Sequence, residues 1–294
     1  MKHPNFFIIG APKCGTTSLT AWLGEHPKIY MSPIKEPHFY STDLNHRWAT
    51  TRREYQALFE EAGPEHLAVG EASVYYLFSQ VAVPEIEKHH PRAKYIVMVR
   101  NPVDMAYSFH EQRLVSQAEH ITDFAEAWAL SPERRQGRYV TRWCGEPKLL
   151  DYESICKLGQ QLKRLFSIVP HERVLVLALE EIRAAPRREY VKALDFLGVE
   201  DDGRHEFPVQ NAAKELRWPR LHRTLQVISR QWVAAKRVFG IPPHRFALGI
   251  QKKISQRNFK YRLREPLDEE IKKQLDKFYL EEKKTMRKFV NYYK

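Results

Sequence analysis

The chain has 294 residues, a length that accommodates one large α/β domain or two ordinary domains. Hydrophobic residues make up 43% of the chain and charged residues 29%, which is typical of a soluble globular protein and excludes a disordered one. The net charge of +12 predicts an acidic partner. Nucleic acid, an anionic membrane surface, a polyanionic glycan and a multiply phosphorylated cofactor all fit this charge.

The cysteines and the apolar segments indicate the compartment. Cys14, Cys144 and Cys156 are an odd number of thiols, and their spacing is unlike that of a disulfide framework or a zinc site. No apolar run approaches the roughly 18 residues of a membrane span. The first residues contain no apolar segment of the kind that signal peptides carry. We therefore expect a cytoplasmic protein.

Strands and helices alternate along the first 200 residues. Three continuous apolar runs predict buried strands, at Asn5–Gly10, Lys94–Val99 and Arg173–Leu179. Helical periodicity predicts further segments, namely Thr17–Leu23, Arg52–Glu61, Val83–His89, Val103–Gln117, Ile155–Ile168 and Arg187–Leu197. This order predicts a P-loop-type, three-layer α/β fold whose central parallel sheet is flanked by helices.

The chain changes character after Gly198. Between Arg204 and Arg264 there are fifteen Lys and Arg residues against two Asp and Glu residues, and four prolines interrupt the segment. The stretch Leu267–Val290 predicts a charged amphipathic helix. We expect one domain over residues 1–294, made of an α/β core (1–200) and a basic helical extension (201–294).

A phosphate-binding loop is predicted between the first strand and the first helix. Gly10 ends the strand, and the loop continues into a helix whose N-terminal N–H groups and dipole favour an anion. A Walker A loop requires lysine directly after its second glycine, but Thr16 stands there and Lys13 lies inside the loop. A kinase would lack the lysine that reaches the β- and γ-phosphates, which favours a different anion.

The loop resembles the 5′-phosphosulfate motif of the sulfotransferases that use 3′-phosphoadenosine 5′-phosphosulfate (PAPS). The branch that is most similar in motif contains the heparan sulfate O-sulfotransferases and bacterial sulfotransferases. The resemblance is carried by the run Lys13, Cys14, Gly15, Thr16, Thr17 and Ser18. It implies that these residues bind PAPS and that Lys13 also acts in catalysis.

Further motifs extend the resemblance to about residue 200. Arg100 after the second strand and Ser108 on the following helix resemble the family's 3′-phosphate motif, in which a guanidinium offers a bidentate fork to phosphate. Beyond residue 200 the resemblance is loose. Lys214 and Arg217 fall where related enzymes place a loop over the nucleotide, which implies two more cofactor ligands.

The candidate base follows the first helix. Glu36, with His38 beside it, resembles the Glu-x-His-Phe segment of the heparan sulfate enzymes, where the glutamate is the catalytic base. The cytosolic small-molecule sulfotransferases use histidine, so His38 is the alternative base. We expect partial burial to raise the pKa of Glu36. Glu71 either contacts substrate or braces the site, and Ala72 departs from the lysine that the heparan sulfate enzymes carry at that position.

The resemblance implies transfer of a sulfuryl group from PAPS to an acceptor hydroxyl, and less readily to an amine. We expect in-line transfer without a metal ion. Two alternatives are a P-loop kinase using ATP and Mg²⁺ and a non-enzymatic nucleic-acid-binding protein, although no nucleic-acid partner is expected. The acceptor class, whether sugar, lipid or another hydroxyl compound, is open. The basic segment 219–240 predicts either peripheral contact with an anionic membrane or packing on the core.

Overall fold

A five-stranded parallel sheet forms the centre of the molecule. The structure is a computed structural model, and it describes residues 3–209, 214–238, 258–261 and 265–290. The spatial order of the strands is β2-β3-β1-β4-β5. Their bounds are β1 Phe6–Gly10, β2 Ile29–Met31, β3 Ala68–Ala72, β4 Lys94–Val99 and β5 Val174–Ala178. The predicted α/β fold with a central parallel sheet is confirmed.

Burial explains why three strands were predicted and two were not. Every residue of β1 is buried, as are all but the first of β4, so both read as continuous apolar runs. By contrast, β2 has three residues, and β3 is an Ala-Val-Gly-Glu-Ala segment with little apolar bulk. Gly70 in β3 lies under the Phe6 ring, and a Cβ there would stand 2.3 Å from its Cζ atom. Close packing against β1 therefore favours small residues in β3.

Helices cover the sheet, and most lie near their predicted positions. Their bounds are α1 Thr16–Gly24, α2 Arg52–Gln56, α3 Ala82–His89, α4 Pro102–Val115, α5 Phe124–Ala129, α6 Ser131–Arg135, α7 Tyr152–Ile155, α8 Leu158–Phe166, α9 Leu179–Ala184, α10 Pro186–Leu197, α11 Pro219–Val238, α12 Glu269–Phe278 and α13 Leu280–Val290. The segment predicted as one helix from residue 155 to 168 is divided at Cys156 and Lys157, and the C-terminal helix is divided at Tyr279.

The C-terminal helices pack against the first 200 residues. Tyr279 donates a hydrogen bond to the Tyr152 carbonyl oxygen (2.9 Å), and Glu282 on α13 accepts one from the Gln160 amide (3.0 Å) on α8. A two-stranded antiparallel ribbon, β6 Lys214–Leu216 with β7 Phe259–Tyr261, lies against α4. Within the described parts of the chain, no helix combines the length and the apolarity that crossing a membrane requires.

The carboxyl ends of three neighbouring strands converge at one edge of the sheet. β1 leads into the glycine-containing loop before α1, and Ala11 donates a backbone hydrogen bond to Met98 of β4 (2.7 Å). β4 leads directly to Arg100. At the end of β3, the Ala72 carbonyl accepts a hydrogen bond from the Glu36 amide (2.8 Å). The sheet thus places the loop, Arg100 and Glu36 at the edge where α/β folds bind ligands.

Candidate active site

The loop between β1 and α1 leaves the N-terminus of α1 open to an anion. Gly15 is the N-cap residue of α1 with φ at 89°, a left-handed conformation, and no side chain caps this helix. A Cβ at Gly15 would stand 2.8 Å from Leu179 Cδ1, so the position requires glycine for conformation and for space. The first N–H groups of a helix have no partner within it, and they attract a negatively charged ligand.

The side chains of the loop divide into inward and outward positions. Cys14, Thr16 and Ser18 are buried, whereas Lys13 and Thr17 are partly exposed. Burial raises the pKa of the Cys14 thiol to about 12, and its Sγ lies 3.9 Å from Met105 Sδ. Cys14 therefore contributes backbone groups to the loop, not a reactive thiolate. Lys13 has φ at 65°, which is uncommon for a residue other than glycine, and residues held in such conformations cluster at functional sites.

Arg100 lies directly against the predicted phosphate-binding loop. Its Nη1 donates to the Lys13 carbonyl oxygen at 3.4 Å, and its Nη2 lies 3.9 Å from Asp104 Oδ2. The guanidinium is nearly buried, and Ser108 is buried two turns along α4. The loop and the cation thus meet across the β1–β4 pair, as binding of a doubly phosphorylated nucleotide would require.

The structure describes the outer cofactor candidates less fully. The side chain of Lys214, in β6, and residues 210–213 lie outside the described residues. Arg217 is exposed at the turn that precedes α11, and its amide donates to the Asn258 carbonyl (2.9 Å). Because β6 lies against α4, this turn is on the side of the molecule that carries Ser108.

Glu36 and His38 lie together on the loop after β2. His38 Nε2 is 3.5 Å from Glu36 Oε2, and Lys35 Nζ donates to Glu36 Oε1 at 2.5 Å. Glu36 and His38 both have positive φ angles, 67° and 51°, so the loop is held in an uncommon conformation. The Glu36 side chain is 32% exposed and that of His38 only 1%. An incoming hydroxyl therefore has direct access to the glutamate.

The protonation of the pair differs from the sequence-based expectation. Burial tends to raise the pKa of Glu36, but the neighbouring His38 and the charge of Lys35 outweigh it and hold this pKa well below its ordinary value. The expected rise is therefore wrong. Burial lowers the pKa of His38, although Glu36 opposes that effect. At neutral pH the glutamate is ionised, as a proton acceptor must be, and the histidine is neutral.

Comparison with known proteins decides the family. A sequence profile described as "Sulfotransferase domain" matches residues 3–289. The chain belongs to the sulfotransferase family. The family predicted from the phosphate loop and Arg100 is confirmed, and all the residues discussed above lie within the matched segment.

Several relatives show how far the similarity extends. Carbohydrate sulfotransferase 15 from Mus musculus is 31% identical over 149 residues, which cover 36% of this chain and 26% of that protein. Bifunctional heparan sulfate N-deacetylase/N-sulfotransferase 2 from Homo sapiens is 26% identical over 206 residues, which cover 67% of this chain and 22% of that protein. The chain thus spans about a quarter of the length of these two curated relatives. A sulfotransferase crystal structure from Alicyclobacillus acidocaldarius is 30% identical with a TM-score of 0.64, covering 86% of this chain and 100% of that one.

A buried carboxylate supports the loop that carries Glu36 and His38. Glu71 in β3 is fully buried and accepts hydrogen bonds from Ser73 Oγ (2.6 Å), Tyr76 Oη (2.8 Å) and Tyr55 Oη (3.2 Å). Ser73 Oγ in turn accepts from the His38 amide (3.0 Å), and Tyr76 Oη accepts from the Tyr40 amide (3.2 Å). Of the two roles considered for Glu71, its burial favours bracing. Burial raises its pKa to about 7, although the three hydroxyl groups lower it.

One residue near Glu36 and His38 was missed in the sequence. His46 lies eight positions after His38, and the two rings meet edge to face with centroids 5.5 Å apart. The nitrogen and oxygen ligand atoms of Glu36, His38 and His46 all lie within 4.8 Å of one another. The sequence carries no signal for this cluster, because His46 follows a stretch without a regular element or recognisable spacing. Only the path of the loop brings it back to His38.

Proposed function

We propose that this sulfotransferase moves the sulfuryl group of PAPS to an acceptor hydroxyl. The observation that carries the proposal is the contact between Arg100 and the Lys13 carbonyl, which joins a 3′-phosphate candidate to a 5′-phosphosulfate loop. The open N-terminus of α1 supports the same ligand. An ATP-using kinase is disfavoured because Thr16 occupies the position of the Walker lysine.

In the proposed reaction, the acceptor oxygen forms a bond to sulfur while the bond to the 5′-phosphate oxygen breaks. Negative charge grows on the departing phosphate, where Lys13 and the amides of Gly15–Thr17 stabilise it more in the transition state than in the ground state. Arg100 and Ser108 hold the 3′-phosphate and align the donor for in-line attack. Glu36 takes the acceptor proton as the bond to sulfur forms. The proposal includes no metal ion in the transfer step.

Two neighbouring segments are the proposed acceptor site. The first is the loop 43–51, which carries His46 close to Glu36, and the second is the segment 116–145, which includes α5 and α6. Just after the second segment, Glu146 accepts a hydrogen bond from the Asn45 amide (2.5 Å), and Lys148 donates to the Asp43 carbonyl (2.8 Å). Several relatives are named for carbohydrate or heparan sulfate substrates. We therefore propose testing carbohydrate hydroxyls first, with lipid, phenol and peptide hydroxyls as further classes.

The first experiment is a thermal-shift comparison of three ligands. Stabilisation by adenosine 3′,5′-bisphosphate, the desulfated product, is expected. Stabilisation by ATP with magnesium, or by DNA, without any effect of the bisphosphate would contradict the proposal and favour the kinase or the nucleic-acid-binding alternative. A transfer screen with sulfate-labelled PAPS then identifies the acceptor class.

Two variants test the roles at the site. Lys13→Ala is expected to lower kcat on the order of 10²–10³-fold, as loss of one oxyanion donor does, while Lys88→Ala, an exposed lysine on α3, serves as the matched control. Glu36→Gln is expected to reduce turnover with little change in bisphosphate affinity. Near-normal turnover in Glu36→Gln would transfer the role of base to His38.

A further inference from the structure

Glu36, His38 and His46 form a group of ligand atoms that no step of the proposed reaction uses as a unit. Their atoms lie within 4.8 Å of one another. Among the described residues, these three side chains are the ones placed closely enough to bind one metal ion together. His38 is supplied from the buried side and His46 from the exposed side. The group is thus open to solvent through His46 and anchored to the core through His38.

The two ring nitrogens of His38 indicate that a ligand binds here. Its side chain is 1% exposed, and within the described part of the chain neither ring nitrogen has a hydrogen-bond partner. The 3.5 Å between Nε2 and Glu36 Oε2 exceeds the usual N–H···O length of 2.7–3.2 Å. A buried polar atom without a partner is costly, and it is uncommon in folded proteins. Its stacking on Tyr75, with centroids 4.8 Å apart, fixes the ring plane but satisfies no nitrogen.

The chemistry of the three ligands selects the ion. Two imidazoles and one carboxylate suit Zn²⁺, which also accepts a water molecule in a fourth position. In a tetrahedral zinc site with bonds of about 2.0–2.1 Å, neighbouring ligand atoms stand about 3.3 Å apart. The ligand atoms lie within 4.8 Å of one another, so binding would draw them closer, and the exposed His46 is the ligand whose position burial does not fix. Lys35 donates a hydrogen bond to Glu36 Oε1. The oxygen that would bind the ion is therefore Oε2, which faces His38.

We propose that Glu36, His38 and His46 form an inhibitory Zn²⁺ site. Binding of the ion would occupy the carboxylate oxygen that faces His38 and would prevent it from accepting the acceptor proton. The inhibitory part of this inference rests on the proposed function, whereas the binding part does not. Zinc would therefore act on the proposed base, Glu36, and not on the loop that binds the nucleotide.

The first measurement is direct binding, by competition with a chromophoric zinc chelator and by the visible absorption of Co²⁺ used in place of zinc. The full chain is compared with His46→Ala and with His120→Ala. His120 is the matched control because it is 59% exposed and also lies near a carboxylate, 3.6 Å from Glu119. We expect His46→Ala to weaken the affinity for the most tightly bound zinc ion by at least about tenfold. Loss of a residue that only hydrogen-bonds to a metal ligand already costs that much, and His46 would be a ligand itself. We expect His120→Ala to match the wild type.

Equal affinity in the wild type and His46→Ala, or a Co²⁺ spectrum unchanged by His46→Ala, would overturn the proposed site. The second measurement is sulfate transfer at increasing zinc concentration. Inhibition that requires higher zinc in His46→Ala, in step with the binding curve, supports the inhibitory role, and full activity of the zinc-loaded wild type overturns that role. Zinc binding together with no transfer to any acceptor would contradict the proposed function and leave the metal site standing.

Discussion

The buried carboxylate of Glu71 makes the stability of the protein depend on pH in a defined way. Its pKa is about 7 in the folded chain, against 4.5 for an ordinary glutamate. Between these two values the folded state binds more protons than the unfolded state. The stabilisation from this group is therefore complete below pH 4.5 and is lost as the pH rises through 7. Glu71→Gln removes the titration and keeps an oxygen acceptor for the surrounding hydroxyl groups.

The size of the effect follows from the shift. A difference of about 2.5 between the two pKa values corresponds to roughly 3 kcal/mol in total, and most of it, about 2–3 kcal/mol, falls between pH 5 and pH 8. We expect the free energy of unfolding of Glu71→Gln, relative to wild type, to increase by about that amount over this range. Any constant cost of the amide, such as a less favourable contact with Ser73, cancels in the comparison between the two pH values.

Urea unfolding followed by fluorescence at several pH values measures this difference. Glu172→Gln, at an exposed position, is the matched control and is expected to follow the wild type at every pH. Parallel curves for wild type and Glu71→Gln would refute the reasoning, because they would mean that Glu71 is ionised in both the folded and the unfolded chain at these pH values.

Three further predictions follow from the structure. Lys35→Met removes a charge that lowers the pKa of Glu36, so the acidic limb of kcat/KM should move to higher pH, and an unchanged pH profile would exclude this coupling. Arg134→Met breaks a buried ion pair with Glu119 (2.7 Å) and should destabilise the fold by about 3–5 kcal/mol in urea unfolding, whereas a loss under about 1 kcal/mol would contradict it. If α11 contacts membranes, Trp232→Ala should weaken co-sedimentation with anionic vesicles by roughly tenfold, because it removes an exposed aromatic side chain. If the wild-type protein does not bind such vesicles, packing of α11 on the core is favoured.

Whether α11 can contact a membrane depends on how much of its apolar stripe is covered by the rest of the protein. Its first turns are attached to the core, since Gln117 donates to the Pro219 carbonyl (2.9 Å) and accepts from Arg223 Nε (3.0 Å). Further along, Ile228 and Trp232 are 46% and 43% exposed, so the apolar stripe is not covered by the described residues. Residues 239 and 240, the end of the predicted membrane segment, lie outside the described residues. Membrane contact stays a prediction.

Much of the fold and half of the candidate site can be predicted from short contiguous segments of the sequence. β1 and β4 are apolar on both faces because neighbouring strands and helices bury them completely, so their identity shows in a few consecutive residues. The phosphate loop is also contiguous, since one strand, one glycine at the N-cap and one helix are enough to build it. The family and the parallel sheet followed from such local signals.

The tertiary structure decided what depends on distant partners. Glu71 is an acidic residue in a short strand, and only the hydroxyl groups that fold around it show that it braces the loop that carries Glu36 and His38. The lowered pKa of Glu36 results from opposing effects of burial, His38 and Lys35, whose balance depends on distances that no spacing specifies. The approach of His46 to His38 is likewise set by the path of a loop. Electrostatic and metal-binding properties belong to atoms a few ångströms apart in space, and residue order alone does not determine which atoms those are.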